Sequence, residues 1–147
     1  MIYIGADHNG FELKEEIKKY LEEKDIEYND EGTNSKEIVH YPQIASKVCK
    51  KMNKDTDKAI LICGSGIGMS MVANKYKGIR AGVCFSEETA LDGKQHSDLN
   101  VLALAGKHTT PEEAKKIIKI WFDKEFLNGR YKERLEMIKE IEKENMK

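Results

Sequence analysis

Short apolar runs alternate with helical stripes along this chain. Ile2-Tyr3-Ile4-Gly5-Ala6, Ala59-Ile60-Leu61-Ile62-Cys63, Ala81-Gly82-Val83-Cys84 and Val101-Leu102-Ala103-Leu104-Ala105 read as short buried strands. Ile26-Glu27-Tyr28 is a weaker candidate for a further strand, placed second in chain order. Between them the spacing changes to that of helices. Leu13, Ile17, Tyr20 and Leu21 recur at i, i+4, i+7 and i+8. Ile44, Ala45, Val48, Cys49 and Met52 form the apolar face of a helix that starts at Tyr41-Pro42, with the proline near its first turn. Glu87 to about Lys94 is another helix. Thr110-Pro111-Glu112-Glu113 is a capping box ahead of a helix that turns Ala114, Ile117, Ile118, Trp121 and Phe122 inward. Asn128-Gly129 is read as its end. A last helix, about 131–144, carries only Leu135, Ile138 and Ile141 as apolar positions. Such a polar helix is not stable alone, so it is expected to dock on the core or on a partner subunit.

Strands that alternate with helices predict an α/β fold with a parallel sheet. The expected architecture is a single domain over residues 1–147, a three-layer α/β/α Rossmann-like fold with a five-stranded parallel sheet. Its 147 residues suffice for one sizeable core, and no repeat, linker or low-complexity segment interrupts them.

Charge narrows the partners. The 25 basic and 26 acidic residues leave a net charge of −1, which offers no electrostatic case for nucleic acid or an anionic membrane. No apolar run is long enough to span a bilayer. The three cysteines (Cys49, Cys63 and Cys84) are an odd number with neither a CxxC pair nor zinc-type spacing. A reducing, cytoplasmic setting is expected. Lysine is the default cation: among the 25 basic residues only Arg80, Arg130 and Arg134 are arginines. Two of those three lie within about one helical turn, which suggests a planar grip on a phosphate or carboxylate.

The most informative loop is Cys63-Gly64-Ser65-Gly66-Ile67-Gly68. It follows a strand and leads into a helical segment. Glycines let backbone amides approach a ligand, and successive N–H groups form a nest for an anion or oxyanion. The start of the helix favours the thiolate of Cys63. A nucleophile or base thus stands beside an oxyanion hole. Two rival motifs fail at one position. A dinucleotide fingerprint needs a third glycine, and a cysteine-phosphatase loop an arginine, where Met69 stands. A buried cysteine beside a tight turn remains the plain structural alternative. Against it, Asp7-His8, Cys63–Gly68 and His96 are all read as following strands, where ligands of such folds sit.

These loops together resemble the ribose-5-phosphate isomerase B family, which includes galactose-6-phosphate and allose-6-phosphate isomerases. The matching stretches are Gly5–Phe11, Tyr41-Pro42, Ile62–Ser70, Ala73-Asn74-Lys75, Gly78–Ala81, Gln95-His96-Ser97-Asp98, Gly129-Arg130 and Arg134. The resemblance implies reversible aldose–ketose isomerisation of a sugar phosphate through a cis-enediolate, with no metal and no cofactor. It implies Cys63 as the base and His96 as the ring-opening group. The amides of Gly64, Ser65, Gly66, Ile67 and Gly68 would hold the enediolate oxygen, and the Ser65 hydroxyl could add a donor. Asp7 would orient or exchange protons with sugar hydroxyls. Phosphate would go to His8, Arg130 and Arg134, and Tyr41 would touch the sugar ring. Asp7 has a second reading as a helix cap, His8 as an ordinary loop histidine and Tyr41 as a packing residue. His40 and His108 are read as facing solvent, Cys49 and Cys84 as core. Two positions depart from the family: Ser97 stands where asparagine is usual, and Lys107 where arginine is common. Both bear on whether the sugar is a pentose or a hexose. The family also implies a homodimer or homotetramer with active sites at the subunit boundary.

Overall fold

A computed structural model describes residues 1–146. Five parallel strands, β1 (Ile2–Ala6), β2 (Asn29–Asp30), β3 (Lys58–Cys63), β4 (Ala81–Val83) and β5 (Val101–Ala105), lie in the order β2-β1-β3-β5-β4. Strands need this crossover pattern because parallel neighbours are joined by helices rather than tight turns. The helices are α1 (Phe11–Glu23), α2 (Tyr41–Lys51), α3 (Ile67–Ala73), α4 (Glu87–Gln95), α5 (Pro111–Asp123) and α6 (Arg130–Asn145). Residue parity splits the core. Ile60, Ile62, Leu102 and Leu104 face α1, α4 and α5, whereas Ala59, Leu61, Cys63, Val101 and Ala103 face α2 and α3. Both faces of the central strands are therefore buried, and their sequence reads as unbroken apolar runs. This is the expected three-layer α/β/α sandwich. Among the described residues no helix is long and apolar enough to cross a membrane.

Three boundaries differ from the sequence reading. The second strand is Asn29–Asp30, not Ile26–Tyr28. Ile26 and Tyr28 pack partly buried against the core, while pairing is set one step later by an ion pair. The buried Lys14 ammonium lies 2.5 Å from the Asp30 carboxylate and that of Lys18 lies 2.8 Å from it. Burial pushes the Asp30 carboxyl up, but the two ammoniums and the Gly32 amide hold it below the usual range. Strand β4 stops at Val83, although the Cys84 amide still donates to the Ala103 carbonyl at 3.1 Å. Helix α5 ends at Asp123 rather than at Asn128-Gly129. Residues 124–129 instead run past the end of α4, where the Leu127 amide donates to the Gln95 carbonyl at 3.1 Å. Asn128 and Gly129, with φ of 63° and 57°, then turn the chain into α6. That helix buries no residue of its own. It lies along Lys54, Gly78, Arg80 and Asp98 at the N-terminal ends of the strands, and Glu142 accepts the Gly78 amide at 2.9 Å.

The sheet order reverses between β1 and β3, because β1 leads outward to β2 and the chain then returns to the other side. The C-terminal ends of these two strands open the crevice in which such folds bind ligands. Asp7 leaves β1 there, and Cys63 ends β3.

Candidate active site

A cleft of about 550 Å³ occupies this crevice, lined by Asp7, Asn9, Tyr41, Cys63, Gly64, Ser65, Ile67, Gly68, Met71, Lys107 and His108. Cys63 is the last residue of β3, 4 % exposed, with its side chain on the α2/α3 face. The neighbouring strand fixes the loop that follows it. The Gly106 amide donates to the Cys63 carbonyl at 2.8 Å and the Lys107 amide to the Gly64 carbonyl at 3.1 Å. Gly66 caps α3 with φ of 77°, a left-handed conformation costly for any residue with a Cβ. The loop therefore turns its amides outward. Among the described residues the N–H groups of Gly64, Ser65, Gly66 and Gly68 donate to no protein acceptor. The Ile67 amide is engaged: it donates to Ser65 Oγ at 3.2 Å. Of the five amides expected to face a ligand, only that of Ile67 is held within the loop. Ser65 accepts inside the loop and keeps its own O–H proton for a ligand.

Two walls close on this loop. The Tyr41 ring lies against Gly68, where any Cβ would collide with its Cε1 and Cζ atoms. On the other side, a Cβ at Gly64 would stand 3.4 Å from Lys107 Cδ and 3.6 Å from Asn9 Nδ2. Lys107 thus runs beside the amide nest and brings a cation to it. Asp7 is 4 % exposed and serves twice. Its Oδ1 accepts the amides of Asn9 and Gly10 at 2.9 and 3.1 Å, which closes the turn before α1, whose N-cap is Gly10 and takes no side-chain cap. Its Oδ2 has no protein donor among the described residues and belongs to the cleft wall.

The remaining expected residues lie elsewhere. His8 is not part of the cleft lining; its Nδ1 accepts the Val39 amide at 3.3 Å and ties down the loop before α2. His96 and Ser97 follow α4 and precede β5, so they do not follow a strand as the sequence reading had it. They sit at the opposite end of the sheet from Cys63. Cys63 pairs with Ala105, the last residue of β5, while His96 lies beyond Val101, the first. Four strand steps between those ends span about 13 Å. Arg130 and Arg134 are exposed on the first turns of α6 and gather with His96 around Tyr131. One chain therefore holds two separate clusters: the thiol with its amide nest, and the imidazole with two guanidiniums.

Asn9, Met71, His108 and Tyr131 were not anticipated. Asn9 and Tyr131 sit inside the stretches Asp7–Gly10 and Arg130–Arg134, so adjacency was the available signal. Met71 and His108 carried none. Burial pushes the thiols of Cys49 and Cys84 up to about 11, as fits core positions. Among the described residues no group of three or more His, Cys, Asp or Glu side chains gathers as metal ligands.

The chain is similar to known proteins over nearly its whole length. The family model described as ribose/galactose isomerase matches residues 2–138. Ribose-5-phosphate isomerase B of Escherichia coli K12 is 43% identical over 142 residues, 96% of this chain and 95% of that protein. The solved ribose-5-phosphate isomerase B of Clostridium thermocellum superposes with a TM-score of 0.93 at 40% identity, covering 97% of both chains. That of Mycoplasma genitalium, solved with bound ribulose-5-phosphate, gives 0.90 at 39% identity over 98% of this chain and 97% of that one.

Proposed function

The chain belongs to the ribose/galactose isomerase family, and we propose that it interconverts ribose 5-phosphate and ribulose 5-phosphate through a cis-enediolate, in sites shared by two copies of the chain. One observation carries this reading. A single cysteine stands beside four unpaired amides at the sheet's switch point, in a cleft sized for a small sugar phosphate. The ligand of the Mycoplasma genitalium relative supports the pentose.

The chemistry follows from these groups. The Cys63 thiolate takes the C2 proton of the open-chain aldose, and the electron pair moves onto the carbonyl oxygen to give the enediolate. A proton passes from the C2 hydroxyl to the C1 oxygen, and Cys63 returns the carbon-bound proton to C1 as the C2 carbonyl of the ketose forms. The amides of Gly64, Ser65, Gly66 and Gly68 hold the oxygen on which charge develops, so stabilisation is strongest in the transition state. The Ser65 hydroxyl donates to the same region. Asp7 Oδ2 orients a sugar hydroxyl, and Tyr41 and Lys107 bound the substrate. His8, held by the Val39 amide at its Nδ1, keeps only Nε2 free as a neutral donor to the phosphate.

Ring opening and the main phosphate grip belong to His96, Arg130 and Arg134. Their distance from Cys63 supports a shared site, in which a second copy brings these residues to the cleft. The surface around the cleft fits a covering partner. Ile67, Met71 and Phe85 are exposed there by 58, 60 and 67 %, and α6 exposes Met137, Ile138 and Ile141. A homodimer satisfies both needs, and a tetramer could be built from two such pairs.

Lys107 and Ser97 favour one competing substrate class. A point charge in place of a fork changes how a phosphate is seated, which leaves hexose 6-phosphates as the alternative. The test incubates the purified protein with ribose 5-phosphate, allose 6-phosphate and galactose 6-phosphate and follows ketose formation. Ribulose 5-phosphate production at the highest kcat/KM is expected. A preference for a hexose phosphate would move the substrate assignment, and no turnover of any of the three would leave a binding module.

A further inference from the structure

Tyr131 is the one residue common to the imidazole and both guanidiniums of the second cluster. It is half-buried, although its helix buries nothing fully. The His96 imidazole stacks on it with ring centroids 4.3 Å apart and planes 8° from parallel. The Arg130 guanidinium carbon lies 5.1 Å from the same ring, and its Nη2 donates to the phenol oxygen at 3.0 Å. The Arg134 guanidinium carbon lies 5.7 Å away.

Building on the function proposed above, we propose that Tyr131 is a positioning residue, whose ring fixes the plane of His96 and joins it to the arginines that grip the phosphate. An acid–base histidine needs a fixed orientation, commonly given by a hydrogen bond to its second nitrogen. Here the nearest carboxylate, Asp92, lies 3.8 Å from His96 Nδ1, beyond hydrogen-bond range. The stack supplies the orientation instead, since parallel offset aromatic pairs hold a defined geometry. The same π-face attracts guanidinium cations. One ring therefore sets the distance between the ring-opening imidazole and the phosphate grip, so seating the phosphate also seats the imidazole.

The local chain is built to deliver this ring. The Leu127–Gln95 hydrogen bond ties the strap after α5 to the end of α4, one residue from His96. The positive φ of Asn128 and Gly129 then starts α6 against it. Tyr131 is the second residue of that helix, so it has little freedom to leave the stack.

The test compares Tyr131→Phe, Tyr131→Leu and Tyr131→Ala with His96→Asn. In NMR spectra, the His96 ring protons should be shifted upfield by the tyrosine ring. The shift should persist in Tyr131→Phe and vanish in the Leu and Ala variants. With ribose 5-phosphate, Leu and Ala should lower kcat about three- to tenfold, the scale of one aromatic pair. Phe should stay within about twofold, showing rescue by the ring alone. Exchange of the ribulose 5-phosphate C1 proton with solvent deuterium, which needs no ring opening, should change less than twofold in every Tyr131 variant. The proposal is overturned if Ala matches the wild type with ribose 5-phosphate, if Phe is as poor as Ala, or if exchange falls in step with turnover. A His96→Asn protein with normal turnover would overturn the ring-opening assignment and this inference with it. An impaired His96→Asn beside normal Tyr131→Ala and Tyr131→Leu would overturn this inference alone.

Discussion

Two inactive variants should make an active protein when mixed. Take Cys63→Ala, which removes the proposed base, and His96→Asn, which removes the ring-opening group. Each alone should lose about 10²–10⁴-fold in turnover of ribose 5-phosphate. The two residues lie at opposite ends of a sheet whose central strands separate them by about 13 Å. If each site takes Cys63 from one copy and His96 from the other, a mixed dimer has one site with both lesions and one with neither. The intact site should turn over at the wild-type rate. Coexpression with two different affinity tags isolates the mixed dimer, whose activity should be about half that of the wild type. Random exchange of equal amounts makes half the dimers mixed, so the unseparated sample should recover about a quarter. Ketose formation from ribose 5-phosphate gives the readout, and the parents set a background far below either value. A purified mixed dimer as inactive as its parents would refute the shared site, because a site built within one chain carries one lesion in each copy.

Other outcomes can be checked separately. Gly68→Ala places a methyl group against the Tyr41 ring and should lower kcat/KM about tenfold or more; added to Tyr41→Ala it should cost little, and equal costs in both backgrounds would disprove the contact. Arg134→Lys should raise KM for sugar phosphate despite its kept charge, and Arg130→Ala should cost more than Arg130→Lys; an unchanged KM in all three would remove the clamp. Lys58 offers a stability test. Burial, with the nearby Lys94 ammonium, pushes its pKa from 10.5 down to about 8. A depressed lysine destabilises the fold while it is charged, so the penalty is full below pH 8 and fades as pH rises toward 10.5. Lys58→Met should therefore raise the melting temperature most below pH 8 and progressively less above it; a constant difference from pH 6 to 10 would contradict the burial argument.

The sheet was legible because its central strands are buried on both faces. Val101–Ala105 and Ala59–Cys63 are apolar at every position, and their strands fall there. Asn29–Asp30 was not legible, because an ion pair with Lys14 and Lys18 rather than an apolar run anchors it. The end of α5 was missed for a related reason. Asn128-Gly129 is a turn signal, but the turn it makes starts α6, five residues beyond the end of α5 at Asp123. Within the site, the loop from Cys63 to Gly68 and its neighbours Asp7, Tyr41 and Lys107 come together in one cleft. Their roles depend on local backbone geometry that strand–turn–helix sequence encodes. The location of His96 relative to Cys63 depends on which end of a helix it follows, and motif order along the chain does not carry that. Tyr131 lacked any signal of its own, since stacking between α4 and α6 arises only from their tertiary approach.

The central claim is proton transfer through an enediolate at Cys63, and isotope placement tests it most directly. Ribose 5-phosphate is converted in deuterium oxide and the ribulose 5-phosphate examined by NMR and mass spectrometry at low conversion. A thiol that exchanges with solvent between taking and returning the proton should leave a single deuterium at C1, on one face only. Cys63→Ala should abolish its appearance while ribose 5-phosphate still binds. Turnover by Cys63→Ala with the C2 hydrogen still carried to C1, or deuterium incorporated at an undiminished rate by that variant, would contradict the account.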